Sequence, residues 1–194
     1  MNDVPSVVDL DAADLEWGEH QIAGADQPAR MVMLRMDAEA GVRTVLVQFP
    51  DGWRRDATGH QPAAEEMVLL SGALSISGLE VSTEHLLVME PRATRSATSV
   101  RGETSAVVWF SGPGGGWAEG EAPDGGEGRL LDLGPSLARD PRAGLAGSVE
   151  ASEAVGGAVF ATDVEVLWPA ARRWAFVPAG SSVPDVAGLA VVHT

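Results

Sequence analysis

The 194-residue chain is 45% hydrophobic, enough to bury a core, and carries 28 acidic against 13 basic side chains, a formal net charge of −15. That charge argues against nucleic acid and anionic membranes as partners, since both reward clustered positive charge. Every basic residue is arginine, and cysteine and tyrosine are absent, which removes lysine Schiff bases, disulfides, thiolate metal sites and a phenolic acid.

Residues 1–27 form an acidic arm, with a short helix expected near Asp9 to Trp17. The arm lacks the positive flank of a secretory signal, and no apolar run reaches the roughly 18 residues of a membrane span. The sequence therefore reads as that of a cytoplasmic protein. "ARMVMLRMDAEAGVRTVLVQFPDGW" gives two strands around a turn near Asp37 to Gly41, the second stopped by Pro50-Asp51-Gly52. "EMVLLSGALSISG" gives two more, hinged at Gly72, followed by "EHLLVMEP" and "TSAVVWFSG". Short strands with turn signals between them predict an all-β sandwich or barrel over residues 28–112.

Residues 113–128 are dominated by glycine, proline and acidic residues and read as a flexible linker. They hold no dinucleotide fingerprint, and the chain has no G-x-S-x-G and no lysine for a P-loop. Residues 129–194 supply further strand-like runs, "GGAVFATDVEVLWP" and "RRWAFVPAGSSV" among them, and read as a second, reduced β unit.

The stretch "GWRRDATGHQPAAEEMVLLSGALSISG", followed by "EHLLVMEPRATRS" and "SAVVWFSG", resembles the cupins. It is most similar to the cupin domain of ChrR-type anti-sigma factors and related bacterial bicupins. The resemblance implies an antiparallel β-barrel with a metal at its mouth, and a degenerate bicupin overall. It also implies a homodimer. The metal motifs are eroded. Glu65 and Gly72 fit the first motif, but Pro62 stands where a second histidine belongs, and Ser96 and Val183 stand where the later histidines would be. His60 and Glu65 alone leave two ligands where a catalytic metal needs about three, so neither a metal nor another cofactor is expected.

Alternate residues of a strand share a face, so an inward Glu65 carries Met67 and Leu69 inward with it. An inward carboxyl in an apolar barrel must be protonated or paired with a cation. His60 is the nearest partner in sequence, with Arg54, Arg55 and Arg95 as alternatives. A carboxyl beside an imidazole is general acid–base equipment, which nominates His60 and Glu65 as catalytic. Trp53, Arg54, Met67, Leu69, Arg95 and Trp109 are the expected substrate contacts. Trp168-Pro169 and Arg172-Arg173-Trp174 would close the pocket or form a dimer face.

The leading expectation is a metal-independent cyclase, isomerase or dehydratase acting on a small apolar metabolite. A non-catalytic ligand sensor is the first alternative. A metal-dependent oxygenase with atypical ligands is the second.

Overall fold

The structure is a computed structural model and describes residues 5–194. In chain order its strands are β1 (Val7–Asp9), β2 (Gly18–His20), β3 (Ala29–Asp37), β4 (Val42–Phe49), β5 (Arg54–Arg55), β6 (Gly59–His60), β7 (Ala64–Ile76), β8 (Leu79–Val81) and β9 (His85–Met89). They continue with β10 (Thr98–Ser111), β11 (Ala118–Glu119), β12 (Gly128–Asp132), β13 (Ala138–Arg139), β14 (Val149–Ser152), β15 (Val164–Trp168), β16 (Arg173–Val177) and β17 (Ala190–His193). Every pairing is antiparallel. The fold is all-β, as the turn-punctuated sequence predicts, and no helix occurs among the described residues.

The chain divides into two compact units. The larger one, residues 16–132 with 143–145, is a β-barrel built on the sheet β12-β9-β7-β10-β4-β3-β2. Its interior is apolar. Val45, Val47 and Phe49 of β4 meet Met67 and Leu69 of β7 and Ala106 and Val108 of β10 in one buried cluster. The opposite faces of these strands are buried as well, through Leu46, Val68, Val88 and Val107. Burial on both faces explains why β7 and β9 read as continuous apolar runs and not as strict alternations.

β7 is one strand of 13 residues where the sequence suggested two hinged at Gly72. Gly72 has φ +76° and lies where the β7–β10 register shifts. A Cβ there would collide with the Thr104 side chain and come within 2.8 Å of its Cα. Glycine is therefore required by a bulge inside the strand rather than by a turn between two. The bulge changes the facing pattern. Glu65 and Met67 point into the barrel on one side of it, and Leu74 and Ile76 on the other. Unbroken alternation would have sent Ala73 and Ser75 inward.

The smaller unit, residues 1–15, 133–142 and 146–194, is the sheet β1-β16-β15-β17-β14-β13 around Val155, Val164, Val166, Trp168, Val177, Val183 and Val192. Trp168 is fully buried in this core.

Three expectations about segments change. The helix near Asp9 to Trp17 does not form. Val7–Asp9 pairs with Asp9↔Arg173 and Val7↔Ala175 instead, and the Asp9 carboxylate accepts the Asp11 N–H at 3.0 Å, a local bond that competes with helix. The acidic arm is divided, its start a strand of the smaller unit and its end, β2, paired with β3. The glycine-rich segment is ordered against the barrel. Ala118 pairs with His60 and Glu119 with Gly59, and β12 adds to the barrel sheet beside β9.

Candidate functional site

The barrel of the larger unit encloses a cavity of about 290 Å³, at the small end of the range for ligand pockets. β4 contributes Arg43, Val45, Val47 and Phe49. β7 contributes Glu65, Met67, Leu74 and Ile76, and β10 contributes Thr98, Val108 and Phe110. His20, Gln21, Ile22, Trp53, Arg55, Gln61 and Trp117 complete the wall. The register explains the set. Phe110 lies opposite Glu65, Val108 opposite Met67 and Val45 opposite Val108, so one inward face runs across three strands.

Among the described residues Glu65 is the one carboxylate in the lining. Its partner is Arg95, whose Nη2 and Nε donate to Oε2 at 3.3 and 3.4 Å. Arg95 is 1% exposed and also donates to the Ala93 carbonyl at 2.9 Å. Two further guanidinium groups reach the cavity. Arg43 lies 4.2 Å over the Phe110 ring and donates to the Gly112 carbonyl at 3.3 Å. Arg55 lies 4.5 Å over the Trp117 ring and donates to Thr98 Oγ1 at 3.3 Å. Its Nε is buried and has no hydrogen-bond partner among the described residues. Burial pulls the Arg55 pKa down to about 10, against an opposing pull from Glu65, and the Arg95 charge lowers it further. Burial lowers Arg43 too, with Glu65 again opposing. Both stay cationic at neutral pH.

The sequence-derived site is reached in part. Glu65, Met67 and Trp53 line the cavity. Trp53 is held by its indole N–H, which donates to the Gln27 carbonyl at 2.8 Å. Leu69 belongs to the same core cluster but lies outside the lining. Arg95 enters as the partner of Glu65 rather than as a wall residue. His60 does not join the cavity. It is half-buried in the β6–β11 ribbon, with Nδ1 3.2 Å from the Gly120 carbonyl oxygen. The cation for Glu65 is therefore an arginine distant in sequence, not the nearest histidine. Arg54 points outward to Asp26 and Asp56, both at 3.6 Å, because its neighbour Arg55 takes the inward position. Trp109 falls on the opposite face of β10, across from Glu66, because Val108 and Phe110 take the inward positions.

Arg43, Phe110, Trp117 and His20 were not recognised from sequence. Arg43 and Phe110 could have been found by extending the alternation from Val45 and Val108. Nothing in the glycine-rich segment signals that Trp117 turns inward.

Cupins commonly hold a metal, and these residues do not fit one. Among the described residues no three His, Asp or Glu side chains are grouped to ligate a cation. His20 and Glu65 are the only such side chains in the lining, and they share it with two guanidinium groups, which repel a cation.

The structure has counterparts among known proteins. It is similar to a candidate dioxygenase from Nostoc punctiforme, with a TM-score of 0.70 and 13% identity over 98% of this chain and 82% of that one. It is also similar to a candidate glyoxylate-induced protein from Pseudomonas aeruginosa, with a TM-score of 0.58 and 9% identity over 99% and 89% of the two chains. Protein Ylba of E. coli gives a TM-score of 0.53 at 12% identity over 100% and 87%. At such identities these likenesses speak for fold alone, and the fold they share is the cupin fold. No helix is long and apolar enough to cross a membrane among the described residues, and no curated protein matches the sequence. The family model described as a domain of unknown function, DUF4437, matches residues 1–110, more than half of the 194-residue chain. The chain belongs to that family.

Proposed function

We propose that the protein is a cupin-fold small-molecule enzyme that moves a proton without a metal, with Glu65 as its base. The observation that supports this most is the placement of Glu65. Among the described residues it is the one carboxylate in an otherwise largely apolar cavity, and Arg95 holds it by two N–H groups. A base fixed in this way can take a proton from a carbon of a bound substrate and return it at another position. The result is an isomer, a ring closure or, where a hydroxyl departs, a dehydration. The guanidinium groups of Arg43 and Arg55 supply positive potential for the charge that develops when the proton leaves. His60 has no part in this reading. The proposal keeps a cytoplasmic homodimer that binds a small organic molecule.

The experiment is incubation with a fractionated metabolite extract in D₂O, followed by mass spectrometry, with wild type and Glu65→Gln compared. The expected result is deuterium uptake or loss of water in one compound, unaffected by chelator and reduced about 10²-fold or more in Glu65→Gln. Activity abolished by chelator and restored by a metal would establish the oxygenase alternative. Retention of a compound without conversion would establish the sensor alternative.

A further inference from the structure

Arg55 is 5% exposed, yet its Nε has no hydrogen-bond partner among the described residues. A buried N–H without an acceptor costs free energy, and a buried cation costs more. Nearby charge does not settle the account. The cavity and the Glu65–Arg95 pair together hold three guanidinium groups against one carboxylate, and that carboxylate is bonded to Arg95. Arg43 and Arg55 are each backed by an aromatic ring, Phe110 and Trp117, which partly offsets their desolvation but accepts no conventional hydrogen bond. The formal charge of the whole chain is −15, so positive charge gathered in this cavity runs against the composition.

We infer that the cavity takes an organic carboxylate, its acid group received by Arg55 with Arg43 beside it and its apolar body lying against Met67, Val108 and Phe110. The planar Arg55 guanidinium lines the cavity, and a small turn of the side chain toward a ligand would present its buried, unused Nε–H beside an Nη group to the two oxygens of a carboxylate. The apolar walls and the small volume favour a monoanion with a hydrocarbon or aryl body over a sugar or nucleotide. This names the substrate class of the site proposed above and rests on that cavity being the ligand site. It replaces the purely apolar ligand expected from sequence. Within the acid–base reading it also gives the positive groups a second task, since they fix one end of the substrate while Glu65 works on carbon further along.

The test uses the full-length protein and calorimetric titration with 4-phenylbutanoate and octanoate, each against its primary amide, and with phenyl phosphate. Wild type should bind at least one acid about tenfold or more tighter than its amide. Arg55→Met should reduce that preference to about twofold or less, with the amide affinity retained. Glu65→Gln should bind the acid as tightly as wild type or tighter, because it removes a like charge. Arg43→Met serves as the second variant if Arg55→Met does not fold, and the wild-type comparison needs no variant. Equal binding of acids and amides, no binding of any acid, a preference that survives both arginine changes, or tighter binding of phenyl phosphate than of every carboxylate would each overturn the inference. An acid preference that persists while Glu65→Gln leaves turnover untouched would sink the proposed base and leave the carboxylate site standing.

Discussion

Trp117 lies over Arg55, its ring centroid 4.5 Å from the guanidinium carbon. The ring also fills the space beside Gly59, where a Cβ would collide with it. The segment that reads as a linker thus supplies one wall of the cavity. Trp117→Ala should weaken carboxylate binding by about 1 kcal/mol, the scale of a partly desolvated cation–π contact. Calorimetric titration of the variant checks this, and an affinity equal to wild type would mean the ring only packs.

Arg95 and Glu65 should respond unequally to mutation. Arg95→Met leaves the Glu65 carboxylate unpaired in an apolar wall and should cost about 3 kcal/mol. Glu65→Gln keeps an oxygen that can accept from Arg95 and should cost only about 1 kcal/mol. Urea denaturation with an unchanged slope measures both, and the reverse order would remove Arg95 as the buried partner.

The pH response follows from Arg55. Its pKa in the folded chain, about 10, lies below the ordinary arginine value. A cation with a lowered folded pKa costs stability while it is charged, so the cost is fully present at neutral pH. It is relieved as pH rises above about 10 towards the ordinary arginine range. A carboxylate ligand offsets that cost. Its affinity should therefore be level between about pH 7 and 9 and fall only above about 10. A fall centred near the usual imidazole range would assign the anion to His20, which also faces the cavity. Fluorescence titration across that range distinguishes the two.

His60→Ala should leave turnover and ligand affinity within about twofold of wild type, in contrast to Glu65→Gln. The imidazole contacts the Gly120 carbonyl rather than the cavity. The expected loss is stability of the β6–β11 ribbon, about 1 kcal/mol for one partly exposed hydrogen bond, read from the thermal midpoint. A large drop in turnover would return His60 to the site.

Gly72→Ala should be among the most damaging single-methyl changes in the chain. It combines a positive φ with collision against Thr104, and the cost should be about 2 kcal/mol or more. Thermal denaturation measures it, and a variant as stable as wild type would show that the bulge relaxes freely.

The all-β class and the barrel strands were legible because turn residues and β-branched runs act locally. Glu65 was legible from its fit to the first motif, Met67 because a strand's alternation carries that assignment along it, and Trp53 from its place just before the motif. The alternation was not carried through β10, which is why Trp109 was placed in the site and Phe110 was missed. The partner of Glu65 was not legible at all. Arg95 lies 30 residues away and reaches Glu65 only through the fold, whereas His60 is near in sequence and faces elsewhere. Arg55 and Arg54 are adjacent and chemically identical, and only tertiary packing decides which of them is buried. Trp117 shows the same limit, since composition sees glycine and acid while the ring is placed by the β6–β11 pairing.

The bulge at Gly72 makes β7 two segments of opposite phase joined at one residue. Residues 65 and 67 are in step with each other, as are 74 and 76, but the two pairs are out of step across the join. Gain of a single residue just after the join, with the bulge kept, would move the second segment on by one step. Ser75 would then stand in the cavity wall and Leu74 and Ile76 would turn away from it. No side chain would have been substituted, yet the chamber would gain a hydroxyl and lose two large apolar groups. The chemistry of this cavity is thus written partly in the length of its backbone, and a one-residue insertion can remodel it more deeply than most replacements.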